Sequence, residues 1–218
     1  MSTRPLTVCH RGASALAAEN SLDAFRIAME YGIDFSELDV FVSRAGDLVV
    51  THDPVDAAAE RSLPRLSDVF DLVRGRMGIY VELKGEGSAA ALGALLQTGT
   101  ADNVRLISGS FAPDLVATLA VAAPLVPRSI LFTAEWRARP AELIDACRAL
   151  GATYAHPCFR PIEPSLVVAV HQVGLRIMTP HTNDADEARY FAEIGVDVIA
   201  SDDPRILALL AWRDKREA

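Results

Sequence analysis

No stretch of this 218-residue chain is apolar for long enough to cross a bilayer. The longest apolar runs, such as Ile206 to Trp212, fall far short of the ~20 residues a spanning helix needs. The start, Met1 to Leu6, lacks the apolar core of a signal peptide. The expectation is a cytoplasmic protein with no stable membrane association. Basic clusters are also scarce. The net charge is −8, and the one cluster, Arg213, Lys215 and Arg216, sits where it would complement the C-terminal pole of a last helix. Nothing could track a phosphate backbone, which argues against a nucleic-acid partner. Cysteines number three, so at least one is unpaired, and Cys9, Cys147 and Cys158 match no zinc spacing. They read as small buried residues in a reducing compartment. Low-complexity segments, long linkers and domain boundaries are absent, so residues 1–218 read as one domain, and a chain 50% hydrophobic can fill one substantial core.

What is present is a regular alternation. β-type runs fall near Leu6–Cys9, Phe35–Val42, Leu48–Thr51, Ile79–Leu83, Val104–Ser108, Ser129–Thr133, Thr153–Ala155, Leu175–Met178 and Asp197–Ala200. Helical patterns follow at Ser21–Tyr31, Leu66–Gly75, Ser88–Thr98, Pro113–Ala122, Ala141–Leu150, Pro164–Val173, Ala185–Ile194 and Pro204–Trp212. The second and third strands are joined by the hairpin-type linker Ser43–Asp47. Merging that hairpin into one unit leaves eight β-then-α units, which predicts a single-domain α/β TIM (β/α)8 barrel. An open doubly wound sheet is the competing architecture, and no glycine-rich phosphate loop follows any strand to support it.

Two strands end in charged pairs set two apart, Glu37-Leu38-Asp39 and Glu82-Leu83-Lys84. Residues two apart on a strand share a face. Charges inside apolar strands are unfavourable unless they serve a site. Oxygen-only ligands from Glu37, Asp39 and Glu82 suit a hard cation, Ca²⁺ or Mg²⁺. Arg11 and Lys84 can both bond anionic oxygens. With a divalent ion, these five side chains leave one positive charge, which a phosphodiester monoanion would neutralise. His10 and His52 fall where other strands end and can divide the roles of base and acid. His156, His171 and His181 read as structural or loop residues.

The ordered blocks His10-Arg11-Gly12-Ala13, Glu19-Asn20-Ser21-Leu22, Glu37-Leu38-Asp39-Val40, His52-Asp53-Pro54 and Val81-Glu82-Leu83-Lys84 resemble the glycerophosphodiester phosphodiesterase family. Weaker signals follow in Ser110-Phe111, Gly174-Leu175 and Ser201-Asp202-Asp203-Pro204. The resemblance implies a TIM barrel that releases an alcohol and leaves glycerol 3-phosphate from a small phosphodiester. It implies His10 and His52 as the acid–base pair, Glu37, Asp39 and Glu82 as ligands of a divalent cation, and Arg11 and Lys84 as phosphate contacts. Two features depart from the family pattern. Only Val55 to Gly78 separates the His-Asp-Pro block from the third barrel strand, so the usual insertion over the mouth is short or missing. Pro180-His181-Thr182-Asn183 stands where the family tends to carry Trp-Thr-Val-Asn, which makes His181 a candidate for part of the cleft wall. A lysophospholipase D-type activity and a non-catalytic barrel that binds a phosphorylated metabolite are the alternative readings.

Overall fold

The structure, a computed structural model, describes residues 4–211. Nine strands form one sheet: β1 (Leu6–Cys9), β2 (Phe35–Val42), β3 (Leu48–Val50), β4 (Gly78–Leu83), β5 (Leu106–Ser110), β6 (Arg128–Phe132), β7 (Tyr154–Pro157), β8 (Arg176–Ile177) and β9 (Val198–Ser201). Eight of them run parallel in the order β8-β7-β6-β5-β4-β2-β1-β9, and β3 pairs antiparallel with β2 as the predicted hairpin. A bridge between Met178 and Val198 brings β8 against β9 and nearly closes the cylinder. Eight helices follow the strands: α1 (Leu22–Glu30), α2 (Leu66–Val73), α3 (Ser88–Gln97), α4 (Pro113–Ala122), α5 (Pro140–Ala149), α6 (Pro164–Gln172), α7 (Ala185–Glu193) and α8 (Pro204–Ala211). The (β/α)8 architecture is as the alternation predicts. Trp212 and the basic cluster of Arg213, Lys215 and Arg216 lie outside the described residues.

Strand alternation divides the core in two. Val8, Phe35, Tyr80, Ile107, Leu131, Tyr154, Met178 and Val198 fill the barrel interior, one from each barrel strand or its end. The intervening residues, such as Leu38, Val40, Ile79 and Val81, turn outward and pack with Phe25, Phe70 and Leu92 from the helices. The period of two that buries Phe35 and Tyr80 inward therefore carries Glu37, Asp39, Glu82 and Lys84 inward too, one level nearer the strand C-termini.

Most element ends fall within two residues of expectation, and two strands show why they shift. The strand expected at Val104–Ser108 lies at Leu106–Ser110. Ser-Gly-Ser has turn composition, yet Gly109 is held in the sheet because β6 passes too close for a side chain. A Cβ there would sit 2.5 Å from the Ser129 carbonyl oxygen. The strand expected at Leu175–Met178 is reduced to Arg176–Ile177, with Met178 making only the closing bridge. After His52-Asp53-Pro54 the chain makes one exposed 3-10 turn, Ala59–Ser62, and enters α2, so no inserted domain follows this block among the described residues.

Candidate active site

At the C-terminal rim of the barrel, β2 and β4 present the three carboxylates. Glu37, Asp39 and Glu82 are only 5%, 1% and 8% exposed. One oxygen from each lies within 4.8 Å of the others. Asp39 pairs with Glu82 across the β2–β4 register. Burial, then the charges of Asp39 and Glu82, push the Glu37 carboxyl well above its ordinary range. Glu82 is raised as well, chiefly by burial. Such a cluster is short of positive charge.

Two basic residues supply part of it. Lys84 Nζ lies 3.1 Å from Asp39 Oδ1 and 3.0 Å from Glu82 Oε1. Burial works against the ammonium, but Glu82 and Asp39 prevail and hold its pKa above the usual value. Arg11 Nη1 donates to Glu19 Oε2 at 3.0 Å, and its Nε lies 3.4 Å from Asp39 Oδ2. The Arg11 backbone N–H donates to Glu37 Oε2 at 2.9 Å, in a left-handed turn with φ of +55° at Arg11 and +76° at Gly12. Gly12 is required twice over: by that φ, and because a Cβ would lie 2.6 Å from Ala24 Cβ. The His-Arg-Gly block is therefore a tight crossing over α1 that points Arg11 back across the rim. Asn20 Nδ2 donates to Asp39 Oδ2 at 3.1 Å, while its own Oδ1 is buried with no donor reaching it. The three buried carboxylates form an oxygen-only donor set of the kind that can hold a divalent metal ion.

The imidazoles of His10 and His52 border the same cavity, about 310 Å³, together with Arg11, Glu37, Glu82 and Lys84. All the predicted site residues except Asp39 line it directly, and Asp39 lies beneath Arg11 and Lys84. Each ring has a carboxylate neighbour. His10 Nδ1 is 2.7 Å from Asp202 Oδ1, and His52 Nδ1 is 3.1 Å from the exposed Asp53 Oδ1. His10 Nε2 faces Glu37 Oε2 at 4.0 Å.

Further side chains stand around the same cavity. His181 lies against His10, with ring centroids 4.2 Å apart and planes 6° from parallel, so it is part of the wall rather than a plain loop residue. Phe111 and Arg160 also border the cavity. His156, on β7, faces inward: Nε2–H donates to the Thr179 carbonyl at 3.0 Å, which leaves Nδ1 to accept from the Tyr80 hydroxyl at 3.0 Å. His171 pairs with Asp197, away from the rim.

Burial, outweighing the bond to Thr179, lowers the His156 pKa to about 4. Unfolding below neutrality therefore takes up a proton. The stabilising effect of the neutral ring is complete above the unfolded value, near 6.5, and is lost as pH falls towards 4. Urea unfolding between pH 6.5 and 4 is expected to show roughly 1–3 kcal/mol less acid loss in His156→Gln than in the parent. Parallel slopes would mean the ring is solvated.

A parallel barrel whose rim brings buried acids, two cations and paired imidazoles to one cavity is the frame of a hydrolase for phosphate esters. The Glycerophosphoryl diester phosphodiesterase family matches residues 10–77 and 77–206, nearly the whole chain. The chain belongs to that family and is a phosphoric diester hydrolase. The Glycerophosphodiester phosphodiesterase of Caldanaerobacter subterraneus subsp. tengcongensis is 26% identical over 246 residues, covering 94% of this chain and 96% of that protein. The crystal structure of the glycerophosphodiester phosphodiesterase from Thermotoga maritima shares the fold with a TM-score of 0.79 at 24% identity, covering 96% of this chain and all of that one. An Oleispira antarctica phosphodiesterase, solved in complex with the product sn-glycerol-3-phosphate, gives a TM-score of 0.78 at 20% identity over 95% and 97% of the two chains. No helix among the described residues is long and apolar enough to cross a membrane.

Proposed function

We propose that this chain hydrolyses a glycerophosphodiester to an alcohol and glycerol 3-phosphate. The observation that carries this reading is a cluster of three buried carboxylates, two of them bordering one open cavity that two cations and two imidazoles border as well. Glu37, Asp39 and Glu82 would hold one divalent cation, Ca²⁺ or Mg²⁺. Bound there, the cation supplies Lewis-acid polarisation of a phosphoryl oxygen. Arg11 and Lys84 stabilise the negative charge that grows on the phosphoryl oxygens. Both are already held in the site by carboxylates, so little reorganisation is needed as the phosphate arrives. His10 and His52 move the protons: one takes a proton from the nucleophile, and the other delivers one to the departing alkoxide. The open mouth, bordered by Phe111, His181 and Arg160, leaves room for varied alcohols.

The substrate class is tested with one enzyme preparation and two esters. Glycerophosphocholine is expected to be turned over with stoichiometric glycerol 3-phosphate release, and lysophosphatidylcholine far more slowly. A kcat/KM that favours the lysolipid would replace this reading by the lysophospholipase D-type one.

A further inference from the structure

We propose that Asp202 is a positioning residue for His10: its carboxylate, oriented by Asn183, holds the ring as the Nδ1–H tautomer with Nε2 turned to the cavity. The proposal rests on the reading of His10 as a proton carrier. Closure of the barrel makes the contact possible. β1 and β9 pair with Cys9 opposite Ser201, and the His10 N–H donates to the Ser201 carbonyl at 2.9 Å. Residues 10 and 202 therefore leave adjacent strands side by side, with 2.7 Å between His10 Nδ1 and Asp202 Oδ1.

The protonation pattern follows from donor and acceptor chemistry. Partial burial disfavours the Asp202 carboxylate, but hydrogen bonds from His10 and then Asn183 overcome it and keep its pKa well below the usual range. A carboxylate only accepts, so Nδ1 carries the hydrogen and Nε2 keeps the lone pair in the neutral ring. Asn183 fixes the arrangement. Its Oδ1 accepts from Ser201 Oγ and from the Asp202 backbone N–H, each at 3.0 Å, which settles which end of the amide is oxygen. Its NH₂ then faces Asp202 Oδ2 at 2.6 Å. His181 covers one face of the His10 ring. Asp202 does not border the main cavity. It lines an open depression on the other side of His10, about 470 Å³, where water can reach it.

This geometry makes an unusual prediction. In Asp202→Asn the introduced amide must turn its oxygen to the NH₂ of Asn183, because the reverse would set two NH₂ groups face to face. Its own NH₂ then points at His10 Nδ1, which becomes an acceptor, and the proton moves to Nε2. The same exchange in the serine-protease triad imposes the wrong tautomer and costs about 10⁴-fold in kcat. Asp202→Ala instead leaves Nδ1 to water, with either tautomer open.

The test measures kcat and KM at saturating metal for Asp202→Asn, Asp202→Ala, Asn183→Ala and the Asp202→Asn/Asn183→Ala double variant, with ¹⁵N NMR of the His10 ring. We expect Asp202→Asn to lower kcat by about 10²–10⁴-fold with KM little changed, and to be more damaging than Asp202→Ala despite its closer shape. Asn183→Ala is expected to lower the activity of the parent yet raise that of Asp202→Asn, since the introduced amide is then free to turn its oxygen to His10. The parent ring should be Nδ1–H and the Asp202→Asn ring Nε2–H. An isosteric variant milder than alanine, or an Nε2–H ring in the parent, overturns the proposal. The NMR signature needs no turnover, so it stands apart from the functional reading, which fails instead if His10→Ala keeps full activity.

Discussion

His10→Ala is expected to lower kcat for glycerophosphodiester hydrolysis by about 10²–10⁴-fold, the range for loss of a positioned acid or base. The metal cluster should survive the change. Glu37 keeps the Arg11 backbone N–H as its donor at 2.9 Å, and His10 Nε2 stands 4.0 Å away without a hydrogen bond to it. Affinity for a divalent cation, read by calorimetry, should thus be near the parent value while turnover collapses. His52→Ala should behave alike, since His52 borders the cavity and its ring sits beside the exposed Asp53 carboxylate. Full turnover by His10→Ala in saturating metal would remove that residue from the chemistry.

Glu37→Gln should have an effect at least as severe as the middle of that range, with a different signature. Removing one of the three proposed anionic ligands is expected to reduce kcat/KM at least about 10³-fold, or ~4 kcal/mol of transition-state stabilisation. Without metal, the variant should be at least as stable as the parent. The Glu37 carboxylate is disfavoured by burial and by Asp39 and Glu82, and a glutamine keeps an oxygen for the Arg11 amide. Added at about 100 times its Kd, a divalent ion should stabilise the parent by about 2.7 kcal/mol. In a chain of this length that is a rise in Tm of roughly 5–10 °C. The rise should vanish in Glu37→Gln. A metal-free variant much less stable than the parent, with its metal response intact, would place the ion elsewhere.

The parts of the site legible in the sequence are those that short-range periodicity controls. Glu37 and Asp39, or Glu82 and Lys84, share a face because two residues of strand separate them, and apolar neighbours at Leu38 and Leu83 show which face is outward. Contacts made by barrel closure were not legible. His10 and Asp202 are 192 positions apart, and only the β1–β9 register joins them. Asp202 lay in a recognised Ser-Asp-Asp-Pro block, but the block does not state which neighbour its carboxylate meets. His181 followed the same logic: its stacking on His10 depends on where the loop after β8 crosses the rim. Gly109 misplaced a strand because the reason for it, the Ser129 carbonyl of the next strand, is not local.

Turnover of glycerophosphocholine by chelator-stripped protein tests the central claim most directly. Glycerol 3-phosphate release should stop in excess EDTA and return when Ca²⁺ or Mg²⁺ is supplied to the parent, but not to Glu37→Gln. Undiminished release from fully stripped protein would contradict a cation held by Glu37, Asp39 and Glu82.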